Sequence, residues 1–173
     1  HPHCSVRRQR HMCIRDRYEI GQSLYEESMV DLAKRILDDG KIILPDALIT
    51  SLTFEGEAVK EKNIKEVAEN EMILDQLLTP AMKDVIASSN TILWNGPLGV
   101  FENQLFEIGT KELSKAIAKS SAFSIAGGGE TIAAINKFIE PDDVSYCSTG
   151  GGAFLEFMEG KELPSIQALR SKN

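Results

Sequence analysis

The chain has 173 residues, 42% of them hydrophobic and 26% charged, with a formal net charge of −7 and a pI near 5.0. That length allows one domain with a substantial core, and the acidic balance argues against nucleic acid or an anionic membrane surface as the main partner. No apolar run approaches the ~20 residues of a membrane helix or resembles a signal-peptide core. Three cysteines (Cys4, Cys13 and Cys147) make no disulfide framework, which fits a reducing cytoplasm.

Residues 1–17 differ from the rest. All three histidines, two of the cysteines and five arginines lie here. His1, His3, Cys4, His11 and Cys13 match no paired Cys-x-x-Cys ligand spacing. The segment reads as a foreign or disordered leader, in preference to a metal site or a basic arm. From Tyr18 onward the pattern is α/β. Met29, Leu32, Ala33, Ile36 and Leu37 give the stripe of an amphipathic helix, with Glu26 and Glu27 early, Lys34 and Arg35 late, and Gly40 ending it.

Lys41 to Pro45 then predicts a buried strand and Ala47 to Thr53 another. Glu55 to Asn70 is polar, with one weak helical turn at Ile64, Val67 and Ala68, and reads as a solvated connection. Met72, Ile73 and Leu74 form an apolar patch. Thr79-Pro80 opens a helix with a cap and a proline at the first position, and Met82, Val85 and Ile86 give it a buried face. Thr91 to Asn95 is a strand entering a glycine–proline loop, and Phe106, Leu113 and Ile117 line the following helix. Trp94 reads as a core anchor. Glu102 by spacing alone is equally a solvated carboxylate near a helix start. Cys147 reads as a small core residue.

The last third repeats one unit: a short apolar strand, three glycines, then a helix. The strands are Ala122 to Ala126 and Val144 to Ser148. Ile132, Ile135 and Ile139 mark the first helix, and Phe154, Leu155 and Met158 the second. Glycine permits a sharp turn and a close approach, and a helix start offers unpaired N–H groups to an anion. Two such corners side by side at one edge of a parallel sheet point to a phosphate-bearing ligand; the alternative is two tight turns.

Trp-Asn-Gly-Pro-Leu-Gly-Val-Phe-Glu, then Ala-Gly-Gly-Gly-Glu-Thr, then Ser-Thr-Gly-Gly-Gly-Ala-Phe-Leu-Glu-Phe-Met-Glu-Gly-Lys-Glu-Leu-Pro together resemble the C-terminal end of phosphoglycerate kinases. The resemblance is strong from about Leu93 to Leu169 and looser back to about Tyr18. It implies a Rossmann-like parallel sheet with helices on both faces, truncated at its N-terminal side, so that residues 18–173 form part of the nucleotide-binding lobe. It also implies Mg²⁺ with ATP or ADP as the bound group. Glu102 would hold the ribose hydroxyls. Gly128, Gly129, Glu130 and Thr131 would lie against the phosphates and magnesium, with Asn95 near the β- and γ-phosphates. Ile73 and Leu74 would form a wall of the adenine slot. Gly127, Gly150 and Gly151 would aim N–H groups at the phosphoryl group in flight. The implied reaction carries the acyl phosphate of 1,3-bisphosphoglycerate to ADP, giving 3-phosphoglycerate and ATP, in a cytoplasmic, usually monomeric enzyme.

The chain departs from that pattern in places. Glu130 stands where the family usually has aspartate, one methylene longer, and Mg²⁺ is strict about geometry. Pro45 is followed at once by Asp46, and Asp75-Gln-Leu-Leu-Thr-Pro80 replaces a shorter turn. The substrate-binding lobe and the Gly-Gly-Ala-Lys segment are absent, and Lys137 and Lys161 read as solvated, unable to replace the missing cations. The expectation is therefore weak nucleotide binding, no turnover in isolation, and a tendency to associate through uncovered apolar surface, including the tail Leu163 to Leu169. The competing reading is a nucleotide- or phosphate-binding module without chemistry of its own. A dinucleotide oxidoreductase would need Gly-x-Gly-x-x-Gly after its first strand, and a P-loop would need Gly-Lys-Ser/Thr; the chain has neither.

Overall fold

The computed structural model describes residues 20–23 and 27–170, so the reading of residues 1–17 lies outside the described residues. Two three-stranded sheets order the rest. β1 (Ala47–Ser51) lies between β2 (Lys60–Asn63) and β3 (Met72–Gln76), antiparallel to both. β4 (Thr91–Asn95), β5 (Phe123–Gly127) and β6 (Tyr146–Ser148) form the second sheet in that order, all parallel. The helices are α1 (Val30–Asp38), α2 (Pro80–Ser88), α3 (Ile108–Lys119), α4 (Gly129–Phe138), α5 (Gly152–Met158) and α6 (Pro164–Arg170). The molecule is thus a mixed α/β protein with a parallel sheet flanked by helices, as the sequence predicts.

The parallel sheet owes its core to alternation. Ile92, Trp94, Ala126 and Cys147 turn to one face, where they meet Ile117 of α3 and Ala134 and Ile135 of α4. Trp94 is the expected anchor: it is buried, and its indole N–H donates to the Gly96 carbonyl at 3.0 Å. The other face carries Leu93, Phe123 and Tyr146, all about half exposed. It is covered at its upper end by α5, whose Phe154 lies over Gly127. Cys147 is half-buried among these core groups, and burial pushes its thiol pKa up. α2 starts as predicted, with Pro80 at its first position and the Thr79 hydroxyl oxygen accepting the Met82 N–H at 3.2 Å.

Three expectations are corrected. Lys41 to Pro45 forms no strand: a strand needs a ladder partner, and none of the described strands pairs with it. Its Ile42 and Ile43 instead remain more than a third exposed, lining an open groove with Leu78, Met82 and Val85. Glu55 to Asn70 is more than a solvated connection, because β2 lies within it and pairs Lys60 with Thr50 and Asn63 with Ala47. Its charged side chains suit a sheet edge, and that charge hid it from a hydrophobicity reading. The parallel sheet that the resemblance implies comprises β4 to β6 only. β1 to β3 pair antiparallel, with a register shift between Ile49 and Thr50.

Glu71 knits the antiparallel sheet. It is buried, and its carboxylate takes the Lys62 ammonium at 2.7 Å and the Ala68 N–H at 3.1 Å. Burial alone would raise its pKa; the Lys62 hydrogen bond, the Ala68 amide and the charges of Lys62 and Lys60 outweigh that and hold it below the ordinary value. No helix among the described residues is long and apolar enough to cross a membrane.

Candidate functional site

The parallel register puts Asn95, Gly127 and Ser148 side by side at the carboxyl ends of their strands. In parallel α/β sheets this edge is where ligands gather, because strands hand over to helix starts there. Both glycine corners lie on it. The glycines of the two corners are not equivalent. A Cβ on Gly127 would come within 2.5 Å of the Phe154 ring, so its absence lets α5 pack down on β5. Gly128 turns the chain into α4 with φ +93°, and a Cβ there would stand 3.2 Å from the Asn95 Oδ1. Gly151 makes the equivalent turn into α5 with φ +51°.

Gly129 and Gly152 have neither reason. Their φ angles lie outside the left-handed region, and among the described residues nothing beyond the chain neighbours and the helix's own backbone lies within 4 Å of where a Cβ would be. Neither α4 nor α5 has a side-chain cap at its start. The first corner therefore combines a ten-residue helix, an uncapped start and open space above its backbone. The second is tighter and serves a seven-residue helix: Gly150 N–H donates to the Ser148 hydroxyl at 3.3 Å, and Gly150 O accepts from Ala153 N–H at 3.1 Å.

The other predicted residues take distinct places. Glu130 is exposed in the first turn of α4. Thr131 is fully buried, and its hydroxyl oxygen accepts the Gly96 N–H at 2.7 Å, pinning the loop after β4 to the start of α4. Glu102 is exposed at the far end of that loop. Ile73 lies in a core with Ile20, Leu48, Ile64 and Val67, and Leu74 in another with Ile49 and Phe106. Both have almost no exposed surface, and Leu74 sits behind the loop, its carbonyl accepting the Val100 N–H at 2.9 Å.

Lys137 corrects a further expectation, for it is not simply solvated. Its ammonium pairs with Glu107 at 2.8 Å, donates to the Phe101 carbonyl at 2.6 Å, and lies over the Phe101 and Phe138 rings. That Lys137 hydrogen bond is the chief reason the Glu107 pKa lies below its ordinary value. Lys161 is more than half exposed and pairs with Glu159 at 2.7 Å. Sequence reasoning missed Asp75 and Thr110. Asp75 is wholly buried and caps the start of α3, its carboxylate accepting the Gly109 N–H at 2.9 Å. The Thr110 hydroxyl accepts the N–H groups of Leu98 and Gly99 at 3.1 and 3.2 Å. An aspartate in an otherwise apolar run, Met-Ile-Leu-Asp, was the available signal for the first.

Among the described residues no group of three His, Cys, Asp or Glu side chains could hold a metal ion. Mg²⁺ is commonly held by one or two carboxylates together with substrate phosphates. One carboxylate, Glu130, beside the open backbone at Gly129 fits that mode and does not fit an all-protein metal cage.

A parallel α/β sheet with glycine-lined helix starts at its carboxyl rim defines the structural class. Comparison with known proteins defines the family. Residues 10–161 match the family model described as "Phosphoglycerate kinase". The chain is 51% identical over 165 residues to the phosphoglycerate kinase of Francisella philomiragia, and 46% over 158 residues to that of Vibrio campbellii. Each alignment takes in 90% of this chain but only 42% and 41% of the relative. Among solved structures, phosphoglycerate kinase from Coxiella burnetii superposes with a TM-score of 0.88 at 39% identity, over 97% of this chain and 45% of that one. The Pyrococcus horikoshii enzyme gives 0.76 at 32%, over 94% and 43%. The chain belongs to the phosphoglycerate kinase family, a family of kinases, and spans about two fifths of the length of its curated relatives.

Proposed function

We propose that this chain is the nucleotide-holding portion of a phosphoglycerate kinase, whose whole moves the acyl phosphate of 1,3-bisphosphoglycerate to ADP and yields 3-phosphoglycerate and ATP in glycolysis. The observation that carries the reading is the open space above Gly129 at an uncapped helix start, flanked by Asn95 and Glu130. No contact among the described residues explains that glycine, whereas a phosphate resting on the backbone does.

In this reading the nucleotide phosphates lie against the start of α4. The N–H groups of Gly127, Gly128 and Gly129 border the seat, and the second corner, Gly150 and Gly151, closes its other side. Phosphoryl transfer spreads negative charge over three oxygens, and a catalyst works mainly by positioning and by fixed dipoles. Backbone amides at a helix start supply such dipoles without a group that must titrate. Asn95 orients the outer phosphates, Thr131 holds the seat's shape through Gly96, and Glu102 takes the ribose hydroxyls. Leu74 backs the adenine wall through the loop it supports, and Ile73 lies beside it in the same strand. Glu130 is the residue to hold Mg²⁺, which when bound neutralises phosphate charge.

The described cations at hand, Lys137 and Lys161, are engaged with carboxylates. No described cation is therefore assigned to the phosphoryl group in transit, and the isolated chain is proposed to bind nucleotide without turnover. The test is calorimetric titration with Mg-ADP of the chain and of Glu102→Ala. Saturable binding weakened about tenfold in the variant, ~1.4 kcal/mol, is expected. Equal binding by the two proteins would remove Glu102 from the site, and no binding by either would favour a scaffold without nucleotide function.

A further inference from the structure

Asp75 is a carboxylate that the nucleotide reading leaves unused, and its surroundings are unusual. Its side chain has no exposed surface. Oδ2 accepts the Gly109 N–H in the first turn of α3, while Oδ1 has no hydrogen-bond partner. Two glycines keep room for that oxygen. A Cβ on Gly99 would collide with Oδ1 and lie 2.6 Å from the Phe106 carbonyl oxygen. A Cβ on Gly109 would lie 2.7 Å from Oδ1 and collide with the Gln76 carbonyl oxygen. The orphaned oxygen therefore shares its two small spaces with carbonyl acceptors. A carboxylate has nothing to donate to them, but a carboxylic acid has one O–H.

The charges around it point the same way. The facing residue on β1 is Ile49, and the loop above presents Gly99. Glu112 of α3 disfavours a second negative charge nearby, although it is itself paired with Lys83 of α2 at 3.0 Å. Glu107, just before α3, is engaged by Lys137 and Lys111. Among the described residues no ion pair reaches Asp75. Burial pushes its pKa up to about 7, against the opposing pull of the Gly109 hydrogen bond and of the nearby Gln76 and Ile108 amides.

Asp75 also lies at a junction. The loop from Asn95 to Glu102 is held by three elements: by Thr131 of α4 at Gly96, by Thr110 of α3 at Leu98 and Gly99, and by Leu74 of β3 at Val100. Asp75 ties the second of these to the third, since it follows Leu74 in β3 and grips the turn that carries Thr110. We propose that Asp75 carries a proton in the folded protein and acts as a positioning residue. As the neutral acid it clasps the start of α3 beneath the Asn95–Glu102 loop. Loss of that proton to solvent as pH rises loosens the loop and weakens nucleotide binding. The last step rests on the nucleotide reading; the protonation and the loosening do not.

Three measurements on the whole chain test this. Carbon-13 NMR of the aspartate carboxyls comes first, since every other described aspartate is exposed. One resonance titrating above about pH 6 and missing from Asp75→Asn is expected, and all carboxyls titrating below about pH 5 would overturn the proposal. Should Asp75→Asn fail to fold, the resonance is assigned through the Asp75 backbone in the unsubstituted chain. Amide hydrogen exchange at Leu98, Gly99 and Gly109 comes second. Protection falling about tenfold between roughly pH 6 and 8.5 in the unsubstituted chain, after correction for the chemical rate, but steady in Asp75→Asn, is expected. The same protection in the unsubstituted chain at both pH values overturns the loosening. Third, Mg-ADP affinity over the same range should fall about threefold more in the unsubstituted chain than in the variant, the nucleotide's own titration cancelling in the ratio. An equal fall removes the link to the site. No ADP binding at any pH by either protein counts against the nucleotide reading and that link together, while the first two measurements still decide the clasp.

Discussion

At the scale of single residues, the three adjacent glycines of the first corner look identical in sequence and differ in the structure. Gly127 makes room for Phe154, Gly128 supplies a positive φ, and Gly129 does neither. This separates fold from function experimentally. Gly127→Ala overpacks the Phe154 contact and should cost about 1–3 kcal/mol in a denaturant melt, partly recovered by Phe154→Leu. Gly129→Ala meets no described atom beyond its own helix and chain neighbours and restrains the unfolded chain, so stability should hold or rise by about 0.4–1 kcal/mol. Its methyl would nevertheless occupy the proposed phosphate seat, and Mg-ADP affinity should fall about tenfold. A Gly129→Ala chain that binds nucleotide as well as its parent would show that the open space holds no ligand.

At the scale of elements, the loop after β4 is joined to its neighbours by the apolar packing of Phe101 and also by hydroxyl groups whose oxygens accept backbone N–H donors. Thr131 and Thr110 are both wholly buried and between them take three N–H groups from the Gly96–Gly99 stretch. Removing such an acceptor leaves a donor without its partner. Thr131→Val keeps the shape of the side chain and loses the oxygen beside Gly96. The expected loss is about 1–3 kcal/mol, read as a lower denaturant midpoint with unchanged slope. An unaltered midpoint would mean that the Gly96 amide finds another acceptor and that the loop does not depend on Thr131.

At the scale of the whole molecule, stability should peak in mildly acidic solution. Glu71 and Glu107 have pKa values below their ordinary 4.5 in the folded chain, so each adds stability that is present above that value and lost as pH falls through the folded one. Asp75 has the opposite sign: raised from 3.8 to about 7, it favours the folded state in full only below about pH 3.8 and loses that contribution as pH climbs from there to about 7. Melting temperature should therefore be highest between about pH 4 and 5, where the two glutamates already contribute in full and Asp75 has lost little, and decline on either side. A melting temperature still rising at pH 8 would contradict the Asp75 assignment. The sequence alone carried the class and the rim: repeated strand–glycine–helix units have a local signature, because period and turn chemistry are written in neighbouring residues. It also carried Trp94 as an anchor and Thr79-Pro80 as a helix start. Only the tertiary structure decided that Lys41 to Pro45 stays unpaired, that charged Lys60 to Asn63 is a strand, and that β1 to β3 run antiparallel, since a ladder depends on which partner is present and not on the strand's own residues. It also decided which glycine faces open space and that Asp75 lies with one oxygen unanswered, because burial and hydrogen bonding are properties of distant segments brought together.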